Sequence, residues 1–232
     1  MKKIASVLAL ALSLSLVLTA CGSKEEAPAA STNTPAASTT TTTTTTPAEA
    51  APAEGEYAWR TSADNKVVSE NGTFGKENIS GSVLVTSVGQ SADVSMLDAL
   101  MKKVGAEYTF NATASADEVA NCGTLILAAG ASSKGLGAAG ISQEDELARA
   151  QAIVDVCKAN DITVIVAHLG GSARRGALSD QFNDLALTCA DYLLVVEDGN
   201  AKDSKFTDAG VPITLLSSIA DAMVPLTELF GA

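Results

Sequence analysis

The chain has 232 residues, 47% hydrophobic and 4% aromatic, and its 15 Lys and Arg face 27 Asp and Glu for a net charge of −12. That length fits roughly one domain of 100 to 200 residues with appendages, and an acidic, ring-poor chain lacks the basic footprint and stacking platforms of a nucleic-acid binder. A single histidine excludes a multi-histidine metal centre, and the reading expects no metal, no cofactor and no nucleic-acid partner.

The first twenty residues read as a secretory signal, with Lys2 and Lys3 as a basic start, an apolar run from Ile4 to Leu18, and small residues before Cys21. The run is too short to be a spanning helix. It ends in Leu18-Thr19-Ala20-Cys21, which resembles the lipobox of bacterial lipoproteins and implies cleavage before Cys21 and acylation of its thiol. The alternative is an ordinary cleaved signal followed by an incidental cysteine. Two or three acyl chains anchor stably where one does not, so the expected place is the extracytoplasmic side of a bacterial cell membrane, with the bilayer as partner through Cys21. Loss of residues 1–20 leaves 13 basic against 27 acidic groups, a charge of −14. Such a surface is repelled by anionic headgroups, so the tether has to hold it there.

Residues 21–54 are almost entirely Ala, Pro, Ser, Thr and Glu, with eight threonines in a row from Thr39 to Thr46. No large apolar side chain offsets the entropy of ordering them, and they read as a disordered linker. Residues 55–81 hold Trp59, Val67, Val68, an Asn71-Gly72 turn signal and Phe74 in a polar background, which predicts a short hairpin or arm against the main domain.

From residue 82 to 232, short β-branched runs alternate with amphipathic stretches, the pattern of a parallel sheet covered by helices. The predicted strands are 82–88, 107–110, 124–128, 163–167, 192–196 and 213–216, mostly continuous apolar runs suited to burial on both faces. Val94, Leu97, Met101 and Val104 mark a helix after Ser91, and Leu147, Ala150, Val154 and Cys157 mark another capped by Ser142. Ser179 is expected to open a helix carrying Phe182, Leu185 and Cys189, and a last helix is expected over 218–230 with a bend at Pro225. The fold class is therefore α/β, a single doubly wound, mainly parallel sheet of Rossmann-like or flavodoxin-like order. Right-handed crossovers put every strand's C-terminal loop on one edge, where a ligand belongs.

Three of those loops stand out. The first strand is followed by Gly89-Gln90-Ser91, the third by Gly130 and Ser132-Ser133-Lys134-Gly135, the fourth by His168 and then Gly170, Gly171, Arg174 and Arg175. If those strands are neighbours, the loops share a crevice whose backbone N–H groups, Lys134 and arginines suit an oxyanion. The plainer alternative is that the charges are solvated and the glycines serve turns. Gly135-Leu136-Gly137-Ala138-Ala139-Gly140 matches the dinucleotide pattern by letter, but it starts well beyond the strand and no acidic residue ends the next one, so a lid or turn is expected instead. A Ser91-His168 nucleophile pair is the enzymatic alternative, although Asp93 stands where a nucleophile elbow wants glycine. Cys122, Cys157 and Cys189 make an odd set without a Cys-x-x-Cys, and are expected to be mainly core residues.

Residues 81–230 resemble a bacterial domain family of unknown function found in secreted and lipoprotein chains. The resemblance rests on Thr86-Ser87-Val88-Gly89-Gln90-Ser91, on Ser132-Ser133-Lys134-Gly135-Leu136-Gly137-Ala138-Ala139-Gly140 and on Gly170-Gly171-Ser172-Ala173-Arg174-Arg175-Gly176-Ala177-Leu178-Ser179-Asp180. It implies the same doubly wound sheet and supplies no activity. The expected function is capture of a small polar or anionic solute for a membrane permease or sensor. The rivals are an extracytoplasmic Ser-His hydrolase or transferase and an envelope scaffold that binds protein without a small ligand.

Overall fold

The computed structural model describes residues 67–231. The signal, the lipobox with Cys21, the linker, Trp59 and the rest of the arm before Val67 lie outside them. Seven strands form one sheet: β1 (Val67–Glu70), β2 (Val83–Val88), β3 (Thr109–Phe110), β4 (Thr124–Ala129), β5 (Thr163–His168), β6 (Tyr192–Val196) and β7 (Ile213–Leu216), in the order β1-β7-β6-β5-β4-β2-β3. All neighbours are parallel except β1 on β7. The six parallel strands follow the flavodoxin-like order, with the reversal of direction falling between β2 and β4.

Side chains leave each strand alternately to two cores. Leu84, Leu125, Leu127, Val164 and Val166 pack with Ile153, Cys157 and Phe182 of α4 (Gln143–Ala159) and α5 (Ala177–Leu187). Val85, Ile126, Ile165 and Leu194 pack on the other face with Leu97, Met101 and Leu226 of α1 (Asp93–Lys103) and α7 (Met223–Phe230). Burial on both faces is what the unbroken apolar runs encode, at about 1.5–3 kcal/mol for each large side chain removed from water.

Several expectations are corrected in detail. Of the arm, the described part lies against the domain: Val67–Glu70 pairs antiparallel with the free edge of β7, and Phe74 then stacks on Tyr192 with ring centroids 4.6 Å apart. Ser179 does not open α5, which starts at Ala177 after Gly176. Its hydroxyl instead accepts from the Ala131 N–H at 3.0 Å, pinning α5 to the end of β4. Ala92 rather than Ser91 is the N-cap of α1, while the Ser91 hydroxyl accepts from the Asp93 N–H at 3.3 Å. Ser142 does cap α4, accepting from the Asp145 N–H at 3.0 Å. The glycine-rich run is itself helix α3 (Ser133–Ala139), with Gly140 as C-cap, rather than a lid or a phosphate turn. Two four-residue helices complete the count: α2 (Ala116–Val119), held by a Ser115/Glu118 capping box, and α6 (Glu197–Asn200). Among the described residues no helix is long and apolar enough to cross a membrane.

Candidate functional site

Because β2, β4 and β5 are adjacent, the three loops do come together at the C-terminal edge. The crevice at the reversal point is partly filled by its own backbone. Gln90 and Ala131 form an antiparallel bridge, and the Ser132 N–H donates to the Gly89 carbonyl at 2.9 Å. The approach depends on Gly89, whose φ is +93° and whose absent Cβ would lie 2.5 Å from the Gly130 oxygen. Gln90 follows at φ +55°, a left-handed conformation unusual for a non-glycine residue.

What holds Gln90 there is a buried ion pair from α4. Glu146 is fully buried, and its Oε1 accepts from the Gly89 N–H at 2.8 Å, from Gln90 Nε2 at 3.1 Å and from Arg149 Nη2 at 2.7 Å. Arg149 Nε reaches Oε2 at 2.8 Å, Nη1 reaches the Ala114 carbonyl at 2.7 Å, and Nη2 also donates to the Ser87 carbonyl. The Gly89 N–H is therefore not a free donor for a ligand.

Arg175 is likewise engaged. Its side chain is 3% exposed, bonded through Nε to Asp180 at 2.8 Å, through Nη2 to Asp203 at 2.8 Å, and through Nη1 to the Gly199 carbonyl. Burial opposes the charge on Arg175, but the two carboxylates outweigh it and raise its pKa. Burial also acts on Asp180, where hydrogen bonds from Arg175 and the Gly176 N–H nevertheless keep the carboxyl below its usual range. The pair forms a structural clasp rather than an open anion receptor.

His168 is buried at the end of β5, with Nδ1 3.1 Å from the Ala129 carbonyl and Nε2 3.1 Å from the Gly171 carbonyl. Both ring nitrogens face carbonyl oxygens, so neither is offered to Ser91 as a general base. The Ser-His geometry required for hydrolysis is absent from this arrangement.

The polar groups left over are of two kinds. Ser133 and Lys134 are exposed on α3, and their side chains make no hydrogen bond or ion pair within the described residues, while the Ser132 hydroxyl accepts from the Gly135 N–H at 3.2 Å. Arg174 and Asp93 face each other at 3.5 Å between Nε and Oδ2, the guanidinium side chain 26% exposed and the carboxylate 4%. Those two atoms are buried, and neither has a hydrogen-bond partner. Gly170 makes room for them, since a Cβ there would collide with Arg174 Cγ and Asp93 Oδ2, and Gly130 lies against the Arg174 stem. Gly171 contributes its carbonyl to His168.

Asp93, Glu146, Arg149, Asp180 and Asp198 were not among the residues expected from sequence. A signal existed for two of them. Asp93 lies one helical turn before Leu97, and Glu146 one turn before Ala150, so both fall on the inward stripe where a charge needs a partner. Asp198, which accepts from the Ser172 N–H at 3.0 Å and its hydroxyl at 2.7 Å, carried none.

Cys122, Cys157 and Cys189 are free thiols at the opposite edge, and burial pushes Cys157 up to about 12 and Cys189 up to about 11. Cys189 lies beyond the end of α5 rather than on it. A cavity of about 660 Å³ opens beside Cys157 and Cys189, lined among others by Phe74, Lys158, Asp161 and Asp191. Among the described residues no group of three His, Cys, Asp or Glu could hold a metal ion.

Residues 80–230 match the model of a family described as Domain of unknown function (DUF6305). No match was found among curated proteins.

Proposed function

The chain belongs to the DUF6305 family of domains of unknown function, and we propose that it is a lipid-anchored, extracytoplasmic module that binds a small polar or anionic solute at the C-terminal edge of its sheet. The observation that carries this reading is the Arg174–Asp93 pair: opposite charges 3.5 Å apart, at the mouth of three converging loops, with buried Nε and Oδ2 lacking hydrogen bonds. Buried polar groups are normally satisfied, and one that is not calls for a ligand, a water or a mechanism. The guanidinium suits a carboxylate or phosphate, and Asp93 can accept from a hydroxyl or ammonium on the same solute. The proposed site comprises Arg174, Asp93, Ser91 and the backbone of Gly130 and Gly170, with Lys134 as an outlying cation. Acyl chains on Cys21 would hold this module at the membrane, within reach of a permease or sensor that takes the solute onward.

The test is thermal unfolding of the full chain in detergent against carboxylates, phosphates, amino acids and nucleosides. A solute at 100 times its dissociation constant adds about 2.7 kcal/mol, a clear rise in midpoint. The rise should vanish in Arg174→Ala. No rise with any solute at millimolar concentration would transfer the assignment to a protein partner. Lipidation is tested separately, by incorporation of a labelled fatty acid that is lost in Cys21→Ser.

A further inference from the structure

His168 is the chain's single histidine, and its contacts contain a contradiction for a neutral ring. Carbonyl oxygens only accept, yet both ring nitrogens have one at 3.1 Å. Neutral imidazole carries one N–H and one lone pair, so it satisfies one carbonyl and turns the lone pair towards the other, whereas imidazolium donates to both. The two carbonyls are not equally fixed. Ala129 sits in the ladder between β2 and β4, opposite Val88. Gly171 belongs to a single 3-10 turn, Gly171–Arg174, held from outside by Asp198 on Ser172.

The surroundings fix the ring and balance its charge. The Phe206 ring lies 4.6 Å from it, with the Arg175 guanidinium 5.5 Å from the Phe206 centroid. Asp180 and Asp203 neutralise Arg175, Asp93 acts on the ring from α1, and Asp198 of α6 holds Ser172 on the next turn. Burial draws the ring below the ordinary histidine range and Arg175 adds to this, while the two carbonyls and Asp93 pull it back up.

We propose that His168 is a proton-operated latch on the segment Gly170–Arg174: the imidazolium ties the segment to the end of β4, and the neutral ring releases the Gly171 carbonyl. Arg174 rides on that segment, so protonation fastens the arginine against Asp93 and deprotonation frees it. This consequence for a solute rests on the binding reading above; the latch itself does not.

Nitrogen NMR of the full chain in detergent, labelled in histidine and in backbone amides, tests it without ambiguity because one histidine gives one pair of ring signals. Near neutral pH one ring nitrogen should be protonated and one bare. On acidification through a midpoint below 6.5, both should become protonated, and the amides of residues 170–175 should move with the same midpoint while those of α7 stay in place. A ring that keeps one state until the protein unfolds overturns the latch, and so does a ring that titrates with no matching movement of those amides. His168→Gln should abolish the pH-dependent movement; should that variant not fold, the wild-type titration still decides. A working latch with no solute-induced rise in midpoint would refute the binding reading alone.

Discussion

Arg174 and Arg175 are adjacent in the chain, yet one is clasped by two carboxylates with its side chain 3% exposed and the other is 26% exposed beside a single aspartate. Nothing in their spacing distinguishes them, because the partners Asp180, Asp203 and Asp93 come from three other segments. Arg175→Ala should destabilise the fold by about 3 kcal/mol, the lower end of the cost of breaking a buried pair, since Asp203 is 42% exposed; denaturant unfolding measures it. Arg174→Ala should cost less, about 1–3 kcal/mol, because it strips the 4% exposed Asp93 carboxylate of its paired cation while the arginine itself is 26% exposed. His168 adds a pH dependence. Its folded pKa is depressed, so the folded state disfavours a proton that the unfolded chain accepts near 6.5. Its contribution to stability is complete above that value and is lost as the pH falls below it towards the folded pKa. Denaturant midpoints compared at pH 7.5 and 5.5 should show the loss, and His168→Gln should remove that component.

Among the elements, what was legible followed the burial pattern. The strands at 192–196 and 213–216 end where the β-branched and apolar runs end, because every position of both is buried, the polar Thr214 included through the hydrogen bond it accepts from Tyr192. The pairing of β1 and the helix α3 were not legible. Asn71-Gly72 is a turn signal, but the partner of β1 is β7, nearly 150 residues away in sequence, and long-range pairing leaves no local trace. α3 holds two glycines among its seven residues and a third, Gly140, as its C-cap, a composition read naturally as a loop. It is held instead by packing, with Leu136 buried and Ser132 as N-cap. α4 has the clearest double role, since it covers the sheet and delivers Glu146 to the corner after β2. Glu146→Ala would strand Arg149 among carbonyls and release Gln90 from its left-handed conformation. The expected cost is about 3–5 kcal/mol, read by denaturant unfolding, and the amide of Gly89 should lose its protection from hydrogen exchange.

For the molecule as a whole, the placement of the loops was readable because topology fixes it: parallel strands with right-handed crossovers put all C-terminal loops on one edge. The contents of the crevice were not, because glycine signals close backbone approach as readily as ligand contact. Here Gly89 serves the first, and the edge is stitched together more tightly than an empty receptor would be. The sheet thus presents two different ends, a C-terminal edge with an ion pair whose facing atoms lack hydrogen bonds and an N-terminal edge with a cavity beside buried and half-buried thiols. Solute binding is proposed at the first. The direct test is to map backbone amide shifts of the labelled full chain in detergent as carboxylates, phosphates and amino acids are added. Solute binding at the C-terminal edge should give saturable shifts confined to residues 89–93, 130–135 and 168–175 that disappear in Arg174→Ala. Shifts centred on Lys158, Asp161 and Asp191, or none with any solute, would contradict it.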